Sequence, residues 1–152
     1  ELDFKANYLA RTQKLAEPPV AIPGALGLLQ TLENSFALGI STANFREAAR
    51  IRLERAELWP FVAAHAFGAE GGGAKRAILA RAVASVGIDA KKTIYVGDNL
   101  NDLDAGQANG THFIGFSRDE KRRSRLSANG ALFLSPDHAE TLRLIGLITS
   151  SA

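Results

Sequence analysis

From Ile22 onward, short apolar runs alternate with stretches whose apolar residues recur at helical spacing, a pattern that predicts an α/β layered domain. PGALGLLQTLEN (23–34) enters on proline and glycine and sets Leu26, Leu29 and Leu32 on one helical face. FALGIS (36–41) is a continuous apolar run of strand length. NFREAARIRLERAEL (44–58) predicts a helix with Asn44 as N-cap and Phe45, Ala48, Ala49, Leu53 and Ala56 on its apolar side. AAHAFGAE (63–70) predicts a short strand. The run Gly71-Gly72-Gly73 then leads into a helix faced by Ile78, Leu79, Ala82, Val83 and Val86.

The pattern continues with a strand over Thr93–Val96 and a helix opened by acidic residues and closed by the Asn109-Gly110 turn. Residues 111–116 predict a strand, 118–128 a polar helix, 131–134 a last strand and 137–148 a last helix. Residues 1–20 stand apart: Phe4, Tyr8 and Leu9 predict a short helix, and Pro18-Pro19 closes it like a linker. Apolar strands separated by helices imply a mainly parallel sheet covered on both faces. In open sheets of this kind, ligands bind beyond the carboxyl ends of the strands. The positions to inspect are therefore those after Ser41, after Glu70 and after Val96.

Composition changes this picture little. The chain has 152 residues, 46% hydrophobic and 22% charged, which suits one domain with a real core. A net charge of +2 gives no electrostatic argument for a nucleic-acid partner, and the basic stretch KRRSRL (121–126) lacks interleaved aromatics. No apolar run reaches membrane-span length and no signal-peptide core opens the chain, so a cytoplasmic location is expected. The absence of cysteine excludes disulfides, thiolate metal sites and a cysteine nucleophile. The three histidines are scattered and are left out of the candidate site.

Each strand end carries a candidate group. Thr42-Ala43-Asn44 offers a hydroxyl and free N–H groups, either a phosphate or oxyanion cradle or an ordinary helix cap. Lys75-Arg76 falls in the first turn of a helix, where cations oppose the helix dipole, so an anionic ligand or mere tolerance must account for it. GAEGGGAKR is not a P-loop: its lysine comes one place late and no Ser or Thr follows. Asp98 sits directly on a strand end, with Asp102 four positions on. Two carboxylates across such a junction offer the few oxygen ligands that a hydrated Mg²⁺ takes. Acids in a first turn are also favourable in themselves, and Asp104 is read as a surface or capping acid.

A hydroxyl, a lysine and an aspartate pair at successive strand ends resemble the haloacid dehalogenase-like hydrolases. ALGISTAN with Thr42 is similar to their second motif, Lys75 to their third, and IYVGDNLNDLDAG with Asp98 and Asp102 to their fourth. STANFREAARIRLERAEL looks like the segment after the second motif in capped, phosphoglycolate-phosphatase-like members. The resemblance covers roughly residues 20–148.

The resemblance implies a three-layer Rossmann-like core and Mg²⁺-dependent hydrolysis of small phosphate esters through an aspartyl-phosphate. Thr42, Ala43, Asn44 and Lys75 would bind phosphate, and Asp98 would hold Mg²⁺. Asp102 would be a second metal ligand or an orienting acid. The family's first motif, Asp-x-Asp at the end of the central strand, has no counterpart here; Asp102-Leu103-Asp104 follows polar residues instead of a strand. By the family layout, the nucleophile strand and most of a helical cap precede Glu1, with residues 1–20 the cap's tail or a linker and 21–152 the core. The missing strand would lie between those ending at Ser41 and Gly97, leaving two inner edges unpaired. The residues are thus expected to belong to a longer polypeptide or to pair with an upstream segment. A non-catalytic binding or regulatory module on the same fold is the rival reading. A receiver- or flavodoxin-like domain ranks behind both, since it gives no reason for Lys75.

Overall fold

Strands and helices alternate from Ala25 to Ser150 in the computed structural model, which describes residues 19–151 and the isolated helical positions Ala6, Leu9, Ala10 and Gln13. The helix expected around Phe4 and Tyr8, and the cap tail or linker over 1–20, lie largely outside the described residues. In chain order the elements are α1 (Ala25–Leu32), β1 (Ile40–Ser41), α2 (Arg46–Arg55), the short α3 (Trp59–Val62), β2 (Ala66–Phe67) and α4 (Lys75–Val86). They continue with β3 (Ile94–Gly97), α5 (Leu100–Ala108), β4 (His112–Phe116), α6 (Glu120–Ala128), β5 (Phe133–Ser135) and α7 (His138–Ser150).

All strand pairs are parallel. β3, β4 and β5 form one sheet in that order, in register from Ile94 opposite His112 to Gly97 opposite Gly115, and from Ile114 opposite Phe133 to Phe116 opposite Ser135. β1 and β2 form a separate pair, Ile40 opposite Ala66 and Ser41 opposite Phe67. Alternation along β4 serves two covering layers. Ile114 packs with Leu32 of α1 and with Leu144, Ile145 and Ile148 of α7, whereas Phe113 packs with Leu103 of α5 and Leu126 of α6. Ile114 is wholly buried, a contribution of about 1.5–3 kcal/mol for one such side chain. The sheet carries helices on both faces, as the apolar strand runs predict.

The half-sheets do not meet. Among the described residues no ladder joins β1 to β3, and a cleft of about 490 Å³ lies between them, lined by apolar side chains including Leu38, Ile40, Leu79, Ile94, Val96 and Ile145. This is the arrangement expected of a parallel sheet lacking the strand between those ending at Ser41 and Gly97. It also explains a difference from the sequence pattern. The 36–41 run pairs over two residues only, because among the described residues β2 is its single neighbour. The 63–70 stretch likewise reduces to Ala66–Phe67, preceded by a 3₁₀ turn over Ala63–His65.

Local boundaries follow their caps. Gly24 enters α1 at φ 86°, in the left-handed region open to glycine. Phe45, and not Asn44, is the N-cap of α2, and the Asn44 N–H donates to Thr42 Oγ1 (3.1 Å) in a hydroxyl turn ahead of it. Asp119 and Asp137 cap α6 and α7.

Candidate active site

At the carboxyl ends of β1 and β3, Thr42, Lys75, Asp98 and Asp102 line a single open pocket of about 490 Å³. Ala43 and Asn44 stand exposed on the turn above β1 and are not among its lining residues. That turn is anchored to the turn after β2. The Ala69 N–H donates to the Asn44 carbonyl (3.0 Å), and the Arg46 N–H donates to Glu70 Oε1 (2.6 Å).

Asp102 is the best-held group of the site. Asn99 and Asp102 form a capping box at the start of α5: the Asp102 N–H donates to Asn99 Oδ1 (3.1 Å), while Asp102 Oδ2 accepts from the Asn99 N–H (3.3 Å). The Asp98 N–H also donates to Oδ2 (3.0 Å). Oδ1 accepts from the Tyr95 hydroxyl (2.9 Å) and from Lys75 Nζ. The side chain is only 6% exposed, so both oxygens are occupied by protein donors out of water. Burial alone would raise its pKa, yet Lys75, the Asp98 amide and Tyr95 hold it below the ordinary carboxylate value. Tyr95 moves the other way: burial, then the Asp102 charge, pushes its phenol well above the usual range. Gly97 permits this packing, since a Cβ there would lie 2.3 Å from Asp102 Cβ.

Asp98 differs. Its side chain is 54% exposed and meets Arg122 Nη1 at 3.0 Å, with Asn99 Nδ2 at 3.5 Å on the other oxygen. A carboxylate so placed is open to a cation. Among the described residues no three acidic or imidazole groups converge on one point. The chemistry of the set fits a Mg²⁺ that takes one protein carboxylate and completes its shell with water and substrate oxygens.

The cations of the α4 first turn also find partners. Lys75 faces Asp102, and Arg76 grips Asp104 through two nitrogens, with Nε to Oδ2 at 2.6 Å. Two ion pairs thus tie α4 to α5 and offset the dipole penalty noted in the sequence. Asp104 is half exposed, as expected of a surface acid.

Four lining residues with polar or charged side chains escaped the sequence reading: Tyr95, Ser117, Arg118 and His138. Ser117-Arg118 and His138 follow the carboxyl ends of β4 and β5, so the strand-end rule would have found them had it been carried to every strand. His138 stacks on Phe116 (centroids 4.5 Å apart, planes 16°). Its Nδ1 is buried without a hydrogen-bond partner among the described residues, and burial lowers its pKa against the pull of Asp137. Ser41, Tyr95, Val96 and His138 line both the pocket and the apolar cleft, so the two are continuous.

Comparisons with known proteins bear on the fold and the family. A family model described as haloacid dehalogenase-like hydrolase matches residues 3–116. No curated protein sequence matches. A conserved haloacid dehalogenase-like protein from Agrobacterium tumefaciens shares the fold at TM-score 0.80, with 20% identity, over 97% of this chain and 69% of that one. A hydrolase of the haloacid dehalogenase-like family from Streptococcus pneumoniae aligns at TM-score 0.74 and 18% identity, over 81% and 59%. A HAD-superfamily hydrolase from Ehrlichia chaffeensis aligns at 0.70 and 16%, over 91% and 64%. The chain thus spans less than two thirds of the length of the Streptococcus and Ehrlichia proteins. At such identities the structures speak for fold, and the family model supplies the membership: the chain belongs to the haloacid dehalogenase-like hydrolases.

Proposed function

We propose that the pocket is the phosphoryl-binding half of a Mg²⁺-dependent hydrolase of small phosphate esters. One observation carries the reading: Thr42, Lys75, Asp98 and Asp102, from three separate strand ends, line one pocket. The Thr42 hydroxyl holds a phosphoryl oxygen. Lys75, fixed by Asp102, places its positive charge where negative charge develops. Asp98 would hold Mg²⁺, which supplies charge neutralisation at the transferring group when bound. Asp102 acts as the orienting acid, since all its lone-pair directions are taken by Lys75, Tyr95 and two amides.

The attacking carboxylate is assigned to an extended segment filling the cleft between β1 and β3. Its carboxyl end would enter the pocket at Ser41 and Tyr95, where the cleft opens. A binding module of the same fold is the second reading. It is favoured by one fact: among the described residues Asp98 and Asp102 are the pocket's only carboxylates, and Asp102 is fully engaged. The test is Mg²⁺-dependent hydrolysis of p-nitrophenyl phosphate by the full-length polypeptide. Activity abolished by Asp98→Asn is the expected result. Full activity in that variant removes the metal assignment, and an inactive wild type supports the binding module.

A further inference from the structure

The two carboxylates of the pocket are held in opposite ways. Asp102 is buried, and every oxygen has a protein donor. Asp98 is half exposed and meets one guanidinium through one bond, Arg122 Nη1 to Oδ2 at 3.0 Å. Arg122 lies in the first turn of α6, where the helix dipole disfavours a cation. Its neighbour Arg123 turns to the Ser117 carbonyl (2.6 Å), so the basic stretch 121–126 is partly drawn toward the strand ends. Lys75 thus stands opposite Asp102 and Arg122 opposite Asp98, so each carboxylate of the pocket faces a cation of the protein.

We propose that Arg122 is the resident counter-cation of Asp98, and that a divalent cation enters by exchange, displacing the guanidinium. This rests on Asp98 being the metal carboxylate. Arg122 is a positioning residue that acts through Asp98 and sets how strongly the site takes a metal. A dication at Asp98 repels Arg122, and the exposed pair yields because it is weak, screened and singly bonded. Asp102 is out of water and held by Lys75, Tyr95 and two amides, so it has no such freedom and the exchange is confined to Asp98.

The experiment is Mn²⁺ binding to the full-length polypeptide at low ionic strength, read from the electron paramagnetic resonance of free Mn²⁺ and independent of catalysis. Removing an exposed partner of this kind changes affinity by roughly 1.5- to 5-fold. Arg122→Ala is therefore expected to bind Mn²⁺ tighter by that factor. Arg122→Lys should stay near wild type. Arg118→Ala, which removes a pocket cation that does not touch Asp98, should tighten binding less than Arg122→Ala. The ratio of Arg122→Ala to wild type should fall toward one near 1 M salt, where screening is short-ranged. Arg122→Ala binding no tighter than wild type, while Asp98→Asn loses Mn²⁺, overturns the exchange alone. Asp98→Asn binding Mn²⁺ as well as wild type overturns the metal assignment beneath it.

Discussion

Replacing Lys75 by Met keeps the length of the side chain and removes the cation facing Asp102. Lys75 is 25% exposed and Asp102 6%, so the pair lies between the surface and buried limits. Three donors to Asp102 remain: the Tyr95 hydroxyl and the amides of Asp98 and Asn99. A buried acceptor that loses one partner but keeps others costs about 1–3 kcal/mol, short of the roughly 3–5 kcal/mol for a fully buried charge left alone. With a urea m-value of about 1.5 kcal/mol/M, the midpoint falls by on the order of 1 M. Unfolding is followed by the fluorescence of Trp59, the only tryptophan, whose ring lies 5.1 Å from the Arg46 guanidinium.

The pH dependence separates this account from a loss of packing. In the wild type the Asp102 pKa is depressed, so its contribution is full above the unfolded value of 3.8 and is lost as pH falls below it. Without Lys75, burial opposes the charged form with less compensation, so the folded-state depression is smaller and less stability is lost as pH falls below the unfolded value. The wild type minus Lys75→Met difference should be flat near neutrality and shrink in acid, where Asp102 is protonated in both proteins. A difference that stays constant down to pH 3 would refute the electrostatic reasoning.

Gly97→Ala places a methyl 2.3 Å from Asp102 Cβ and 2.7 Å from its Cγ, against an ordinary carbon contact of about 3.5–4.0 Å. Strand and helix must part, at about 1–3 kcal/mol in urea unfolding, and an unchanged midpoint would show that α5 is not held as close as described. Arg76→Ala removes the exposed partner of Asp104 and should move the midpoint far less than Lys75→Met, an effect that vanishes in high salt. An equal loss in the two variants would mean that both pairs merely clamp α4 to α5.

Periodicity is a local property, and it decided much here. The alternation of apolar runs and helical faces set the α/β class, the parallel sheet and the covering of β4 on both faces by Ile114 and Phe113. The strand-end rule located Thr42, Lys75, Asp98 and Asp102, which the fold brings to one pocket. The family resemblance also implied a missing inner strand, and among the described residues no ladder joins β1 to β3. Only the tertiary structure decided what each group meets. Asp98 and Asp102 look alike as two acids four residues apart. Yet Gly97 lets α5 close on β3, so Tyr95 and Lys75 bury Asp102 while Asp98 turns outward to Arg122. His138 joins the site from the far end of the chain, in sequence an ordinary helix start. Such partners come from elements distant in sequence, and side-chain charge and burial depend on that packing and not on spacing along the chain.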